Sequence, residues 1–363
     1  MAKKRNQYFP DAVTHPGRTL TEKLEELGMG PKEFAIRTGK PEKTIIAILK
    51  GKSSITPDMA VQFENVLKIP AHFWINRQHQ YDEFVARQER EELLQESIAW
   101  AKLFPVAEMI KKQWLPQQST IEKKTAELLS YFGVSHHLGW EQYYLKQQLK
   151  VAFRISLAHT KEPYAISAWL RRGEIQANEL NSKDYSARNF KEALPEIKTV
   201  MAKHPADFFK RLQSICLDAG VKVVHTPCLP KAPISGSTRW LNDTPLIQLS
   251  GRYNRNDSFW FTFYHEAGHI LLHGKKDIFL EDIDYSDKDM QKEEEANAFA
   301  AEWTLTREQQ EEILEAIPLN ASKIRAFAKK FNTHPGIIIG RLHHERLVEY
   351  SLGREFFEHV NLN

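Results

Sequence analysis

The segment His265-Glu266-Ala267-Gly268-His269 constrains the fold of this 363-residue chain more than any other feature. Residues four apart lie on one face of a helix, so the two imidazoles could bind the same metal ion. A Zn²⁺ ion held by two histidines and one carboxylate keeps a coordination position open for water, and Glu266 would stand beside that water as a general base. The motif therefore predicts a Zn²⁺ site that catalyses hydrolysis.

The residues around this motif favour a helix of about four turns. Positions 259–264 and 270–272 are almost entirely apolar, which predicts that the helix is largely buried. The polar groups of the motif are costly to bury unless they have partners, and a metal ion would provide one. The alternative is a surface helix on which the histidines and the glutamate have no joint role.

A second helix, predicted from strong helix formers at 290–305, would supply the third ligand. Glu293 and Asn297 share one face of it with two alanines, whose small side chains allow a close approach to the first helix. Glu293 would bind the metal, and Asn297 would hydrogen-bond a ligand imidazole. Glu294 and Glu295 project elsewhere and are interpreted as solvated charges. The alternative is an acidic helix start that interacts only with the helix dipole.

These two segments resemble the ImmA/IrrE family of zinc metallopeptidases. The resemblance rests on His265 to His273 followed by Glu293-x-x-Ala296-Asn297-x-Phe299-Ala300, and it covers about residues 206–348. It implies an α+β, gluzincin-like metallopeptidase domain that carries out limited proteolysis of a repressor or partner protein. One departure is Trp303-Thr304, which stands where the family usually continues with an aliphatic run that ends in Pro.

Other polar residues near the motif are assigned less specific roles. His273 lies one turn beyond His269, which favours contact with substrate at the rim of the site, or capping of the helix C terminus, over metal binding. Tyr264, Arg239, Arg252 and His273 are all candidates to stabilise an oxyanion. The spacing does not choose among them.

The amino-terminal part of the chain has the pattern of a helix-turn-helix module. Turn residues, mainly glycines, separate short helices predicted at 18–27, 32–38, 41–50 and 57–67. In the third helix Ile45, Ile48 and Leu49 would face the core. The residues expected to face the major groove and the phosphates of DNA are Lys40, Lys43, Thr44, Ala47, Lys50 and Lys52.

Charge agrees with a DNA-binding role for this part. Residues 1–80 hold 13 Lys and Arg against 8 Asp and Glu, a net charge of +5, whereas the remaining residues have a net charge of −2. Thr14-His15-Pro16-Gly17, Glu42-Lys43-Thr44-Ile45 and parts of 51–76 resemble the HigA antitoxin branch of the lambda-repressor/Cro-like (XRE) helix-turn-helix family.

That resemblance covers about residues 10–85 and implies binding to double-stranded operator DNA as a homodimer, with a cognate toxin as a further partner. Pro31 replaces a Gln that is often found at the start of the second helix, which leaves the operator preference open. The alternative is a four-helix cap without affinity for DNA.

Between the two ends, residues 86–205 predict a helical connecting or sensor region without a chemical motif. Short strands are predicted at 221–224 and 246–249. An edge strand beside a zinc helix can hold a peptide by strand addition, and we expect residues 246–250 to form that edge.

The expected fold class is multidomain. It combines an all-α helix-turn-helix domain at 10–85, a helical middle region at 86–205 and an α+β gluzincin-like metallopeptidase domain at 206–348. Two cysteines make a disulfide framework unexpected and are typical of the cytoplasm. No apolar run reaches membrane-spanning length, and the first residues lack the apolar core of a signal peptide.

The predicted function is a cytoplasmic, DNA-binding transcriptional regulator with a fused zinc-dependent endopeptidase. The rival interpretation is a non-catalytic antitoxin or autorepressor whose zinc lobe only binds a toxin or a signal. The chain retains Glu266 together with two histidines and a downstream glutamate, which favours catalysis.

Overall fold

The computed structural model describes residues 12–147, 162–230, 232–273, 275, 279–280, 287–360 and 362. Its contacts divide the chain into two units, Met1–Glu96 and Ser97–Asn363. Both units are mainly helical, as the sequence predicts for a multidomain chain. Among the described helices, none combines the length and the apolar character needed to cross a membrane.

The first unit contains four short helices and the start of a long one. They are α1 (Pro16–Glu26), α2 (Pro31–Thr38), α3 (Glu42–Leu49), α4 (Pro57–Leu67) and α5 (Ala71–Ala101), within which the boundary between the units falls. Proline at the first position of α1, α2 and α4 fixes φ where no intrahelical donor is lost. The four short helices predicted from sequence are confirmed, each within about two residues.

The core of the first unit is formed by one apolar face of each short helix. Its fully buried members include Leu20, Phe34, Ile48 and Phe63. Gly17 brings α1 against α3 so closely that a Cβ there would lie 1.9 Å from the Ile48 carbonyl oxygen. The close approach fixes the position of α3 on the unit.

Along the chain, some helices of the second unit precede a small sheet and the others follow its third strand. Before the sheet come α6 (Val106–Lys111), α7 (Ile121–Phe132), α8 (His137–Trp140) with a π-helical turn (Glu141–Gln147), α9 (Pro163–Asn178), α10 (Ala187–Lys203) and α11 (Phe208–Asp218). After its third strand come α12 (Asn256–Leu272), α13 (Asp287–Thr304), α14 (Arg307–Glu315), α15 (Ala321–Lys330), α16 (Pro335–His344) and a 3₁₀ turn (Arg354–Phe356).

The sheet has four strands in the order β1-β3-β2-β4. They are β1 (Lys222–His225), β2 (Gly236–Leu241), β3 (Thr244–Leu249) and β4 (Phe279–Leu280). β3 runs parallel to β1 and antiparallel to β2. The prediction of an edge strand at 246–250 is therefore wrong, because Ile247 pairs with Val223 on one side and Thr238 on the other. A strand buried on both faces does not show from its own sequence which strands flank it.

The sheet separates two sets of side chains that alternate along β2. Thr238 hydrogen-bonds Glu266 of α12, whereas its neighbour Arg239 hydrogen-bonds Glu174 of α9. Successive residues of a strand point to opposite faces, so α12 and α9 lie on opposite sides of β2. This arrangement places the motif helix directly over one face of the sheet.

Candidate functional site

The two histidines of the motif converge at one point on α12. His265 and His269 are 2% and 1% exposed, and their Nε2 atoms lie 3.0 Å apart. The helix itself is the buried helix that the sequence predicts, with Trp260, Phe263 and Tyr264 fully buried around it. Two buried imidazoles with facing nitrogen lone pairs form half of a metal site.

Glu293 of α13 completes a three-ligand group with these imidazoles. Its carboxylate oxygens lie 3.1 Å from His265 Nε2 and 3.5 Å from His269 Nε2, and the three ligand atoms all fall within 4.8 Å of one another. Glu294 is exposed, and the metal-ligating group found in the described part of the chain does not include it. The structure therefore brings together the residues that the helical periodicity singled out as ligands.

Small residues allow the two helices to approach this closely. Ala296 and Ala300 are fully buried between them, as the sequence predicts. Gly268 also takes part, because a Cβ at this position would lie 3.2 Å from Phe299 Cβ and 3.3 Å from Ala296 Cα. The spacing between α12 and α13 is thus set by residues that present little or no side chain.

The donor set fits a divalent metal ion. Ligand atoms bound tetrahedrally to Zn²⁺ at 2.0–2.1 Å are about 3.3 Å apart, which matches the separations of His265, His269 and Glu293. Burial lowers the pKa of His269 to about 4. Burial opposes ionisation of Glu293, but hydrogen bonds from the two imidazoles outweigh it and lower its pKa to about 2. At neutral pH His269 is therefore neutral and Glu293 is ionised, the forms that bind metal.

Hydrogen bonds at Nδ1 orient both imidazoles. Asn297 Oδ1 lies 3.0 Å from His265 Nδ1, in the position that the sequence predicts for it. His269 Nδ1 lies 3.0 Å from His273 Nδ1, and His273 Nε2 lies 3.1 Å from Glu295 Oε2. His273 also caps α12 through its backbone N–H, so the predicted capping role agrees with the structure. Glu295 is exposed, as interpreted from the sequence, but its carboxylate also contacts the His273 imidazole.

Glu266 is fully buried beside these residues, and a residue of β2 holds its side chain in place. Thr238 Oγ1 lies 2.6 Å from Glu266 Oε2 and 2.9 Å from its carbonyl oxygen. Gly236 leaves room for the carboxylate, because a Cβ there would lie 2.6 Å from Glu266 Oε1. The sequence analysis assigned no role to Gly236 or Thr238. Their i, i+2 spacing, which places both residues on one face of a strand, could have identified them.

Two predicted oxyanion-stabilising residues lie away from the metal centre, so those predictions are wrong. Arg239 Nη1 donates to Glu174 at 2.8 Å on the opposite face of the sheet. Tyr264 is fully buried and stacks on Trp303 with ring centroids 6.0 Å apart. Tyr264 directly precedes His265 in the helix, so it points away from the ligand face.

Arg252, which was also considered, donates from Nη1 to the carbonyl of Pro233 at 2.9 Å. His273 is then the remaining candidate of the four that contacts a metal-ligating side chain.

The second unit has a cleft of about 780 Å³, whose lining does not include His265, Glu266, His269 or Glu293. Thr262 and Asn297 line it, and Asn297 contacts a ligand imidazole. Phe261, Arg341 and Tyr350 also line it. Asn297 is therefore the residue that links the cleft lining to the candidate metal ligands.

The first unit presents a second candidate site on α3. Gly39 ends α2 with a φ of 64°, a left-handed conformation that glycine adopts without strain, and α3 follows after two more residues. Ile45 and Ile48 are fully buried and Leu49 packs against the same core, as predicted. This is the helix-turn-helix arrangement, with α3 as the second helix.

The predicted DNA-contacting residues differ in exposure. Lys43, Lys50 and Lys52 are exposed, whereas Thr44 and Ala47 are half-buried. Lys40 is paired with Asp58, and its side chain is 19% exposed. The structure thus leaves three of the four lysines open to solvent, and contact with DNA stays a prediction for all six residues.

Comparisons with known proteins match the helix-turn-helix part and the part that contains the candidate metal ligands separately. The sequence profile of the IrrE N-terminal-like domain, peptidase M78, matches residues 216–343. The HTH-type transcriptional regulator YddM of Escherichia coli strain K12 is 33% identical over 64 residues, which are 18% of this chain and 68% of YddM.

Two solved structures are similar over the short N-terminal region. An addiction module antidote protein of a HigA family from Coxiella burnetii is 30% identical, with 23% of this chain and 92% of that chain covered and a TM-score of 0.22. Pseudomonas aeruginosa antitoxin HigA, solved with the higBA promoter, is 27% identical, with coverage of 22% and 89% and a TM-score of 0.22. By its sequence relationships the chain belongs to the HTH-type transcriptional regulators and carries an IrrE N-terminal-like domain of the M78 peptidases at residues 216–343.

Proposed function

We propose that this regulator is also a zinc-dependent endopeptidase, and that its second unit cleaves a repressor or partner protein. The observation that carries the proposal is the convergence of His265, His269 and Glu293 on one point, with the fully buried Glu266 on the same helix. A bound Zn²⁺ would act as a Lewis acid toward water and the scissile carbonyl.

The chain's own residues would provide binding and proton transfer. Glu266 accepts a proton from the attacking water and returns it to the departing amine nitrogen. Thr238 holds one carboxylate oxygen in place through its 2.6 Å hydrogen bond. The substrate chain would lie in the cleft that Thr262 and Asn297 line.

The first unit would bind operator DNA through α3, as a homodimer. Exposed Lys43, Lys50 and Lys52 would meet phosphates and base edges. A cognate toxin is a further proposed partner, in keeping with the antitoxins to which the N-terminal region is similar. Proteolysis and repression in one chain would let a signal change both the operator occupancy and the level of a partner protein.

The test of the peptidase proposal uses a library of protein-derived peptides as substrate, because the partner is unidentified. The full chain is incubated with the library and Zn²⁺, and new amino termini are counted by mass spectrometry. Glu266→Gln should keep its zinc and its fold but lose about 10²- to 10⁴-fold in cleavage rate, the usual contribution of a general base. Glu294→Gln, which removes an exposed carboxylate, is the matched control.

Equal cleavage by Glu266→Gln and the wild type would contradict the assigned base. A wild-type chain that carries roughly one zinc per chain and produces no new termini would contradict the peptidase proposal. That second result would favour the non-catalytic interpretation, in which the zinc lobe binds a toxin or a signal.

A further inference from the structure

His269 is contacted at both ring nitrogens by side chains that lead to α13. Its Nε2 lies 3.5 Å from Glu293 Oε1, and its Nδ1 lies 3.0 Å from His273 Nδ1. His273 Nε2 in turn lies 3.1 Å from Glu295 Oε2. The His273 side chain is 4% exposed and that of Glu295 is 46% exposed. A row of hydrogen bonds therefore runs from the metal centre to a carboxylate at the surface.

When a metal ion takes the place of a proton at His269 Nε2, the protons in this row have one consistent arrangement. A carboxylate only accepts, so His273 donates from Nε2 to Glu295 and keeps a lone pair on Nδ1. His269 then donates from Nδ1 to His273, which leaves the His269 Nε2 lone pair facing the metal position. The charged end of the row thus determines which nitrogen of His269 is available as a ligand.

His265 is oriented in the same way by a single residue. Asn297 Oδ1 accepts from His265 Nδ1 at 3.0 Å, so that Nε2 presents its lone pair to the metal position. Positions 293, 295 and 297 of α13 therefore serve one centre: the first binds the ion, and the other two orient the two imidazoles.

We propose that Glu295 is a positioning residue, which fixes the tautomer and ring orientation of His269 through His273 and so strengthens divalent-metal binding. The inference rests on the metal centre of the proposed function. Groups that orient a metal-ligating histidine are typically worth 10- to 100-fold in metal affinity. His273 is assigned as an orienting group and not as a ligand, because both of its ring nitrogens already contact other side chains.

The test measures the apparent Kd for Zn²⁺ in the full chain, by competition with a chromogenic chelator. Glu295→Ala and His273→Phe should each bind Zn²⁺ about 10- to 100-fold more weakly than the wild type. Glu294→Ala removes the same charge from the neighbouring position and should stay within about twofold. Equal weakening by Glu294→Ala and Glu295→Ala would show a general charge effect and overturn the proposal.

Two further variants separate positioning from packing. The double variant His273→Phe/Glu295→Ala should bind Zn²⁺ as His273→Phe does, because the row is already broken; additive losses would contradict action through His273. His273→Gln offers a side-chain oxygen to His269 Nδ1 and should recover at least about threefold of the affinity lost in His273→Phe. No recovery would contradict the proposal, provided that the metal-free variants melt at the wild-type temperature.

Glu293→Gln distinguishes this inference from the proposed function. If it binds Zn²⁺ as tightly as the wild type, the metal centre is wrong and the inference fails with it. If it loses Zn²⁺ while Glu295→Ala keeps wild-type affinity, the positioning role alone is wrong. If the expected affinities are found but no peptide is cleaved, the peptidase proposal fails and the positioning role stands.

Discussion

The two units of this chain carry their candidate chemistry in opposite environments. In the second unit, His265, Glu266 and His269 are at most 2% exposed and are held by named partners. In the first unit, the candidate DNA-contacting lysines at 43, 50 and 52 lie in solvent. Buried groups act through geometry, whereas exposed cations act through charge and remain free to move.

The comparison indicates how each site should respond to substitution. A buried site should fail abruptly when a neighbour moves by a few tenths of an ångström, because its groups have no alternative partners. A solvated basic surface should weaken in steps, one charge at a time, and each step should depend on salt.

Among substitutions that leave every proposed ligand and the proposed base in place, Gly236→Ala has the largest expected effect. The added methyl group would lie 2.6 Å from Glu266 Oε1, so the carboxylate must move. Displacement of a catalytic group by about 1 Å costs about 100-fold in kcat/KM, while zinc affinity should change little. Ser237→Ala, on the opposite face of the same strand, is the control for peptide cleavage. Similar rates in both variants would show that the site tolerates movement.

Lys43→Ala combined with Lys50→Ala tests the basic surface of the first unit. In a homodimer the two substitutions remove four phosphate contacts, so operator binding should weaken by at least about 20-fold at 0.1 M salt and the salt slope should fall by up to about 4. Lys111→Ala with Lys123→Ala removes two exposed charges from the second unit and should leave both quantities unchanged. Affinity measured by fluorescence anisotropy at several salt concentrations decides the question, and an unchanged slope would exclude α3 from the interface.

Thr238→Val should produce a smaller loss in the second unit. The variant keeps the shape of the side chain but removes the hydroxyl that lies 2.6 Å from Glu266 Oε2. We expect about tenfold lower kcat/KM, close to the value of one hydrogen bond to a charged group. Thr238→Ser retains the hydroxyl and should cleave peptides at nearly the wild-type rate. A Val variant as active as the Ser variant would show that Glu266 is oriented by other contacts.

Acid should destabilise the second unit through a buried histidine. Burial and the nearby charge of His334 lower the pKa of His204 to about 4. Trp260 Nε1 also donates to His204 Nδ1 at 3.1 Å, a bond that protonation would break. The unfolded chain takes up this proton near pH 6.5 and the folded chain does not, so stability is lost as the pH falls from 6.5 toward 4.

The expected size of this loss is about 1–2 kcal/mol, after allowance for partial exposure of the ring. Urea unfolding at pH 7.0, 5.5 and 4.5 would measure it, with His204→Gln as the variant that lacks the titrating group. The same slope in both proteins would assign the acid sensitivity to other residues.

Local periodicity predicted which residues converge as candidate metal ligands, and it also predicted the short helices of the first unit. His265, His269, Glu293 and Asn297 were found because a helix repeats its faces at fixed spacing, and the structure confirms their convergence. The same argument fails where an element ends. His273 lies at the C-terminal cap of α12, so its contact with Glu295 follows from no helical spacing.

The other wrong predictions concern contacts between segments that are far apart in the sequence. The order of β1, β3 and β2 depends on contacts between distant segments, so the interior position of β3 was not predicted from its own residues. Arg239 was included among the candidates for oxyanion stabilisation because β2 was not recognised as a strand, so the face of the sheet to which Arg239 points was not predicted. Lys40 is held by Asp58, which lies eighteen positions away on another helix.

Because Gly268 has no side chain, it affects how closely the proposed ligands of the second unit can approach an ion. A methyl group there would meet Phe299 Cβ at 3.2 Å and would have to push α13 outward by a few tenths of an ångström. That displacement exceeds the tolerance of about 0.2 Å in metal–ligand bond lengths. Widening at this one position would therefore lengthen the distances from an ion to its proposed ligands and weaken zinc binding, with every donor atom still present.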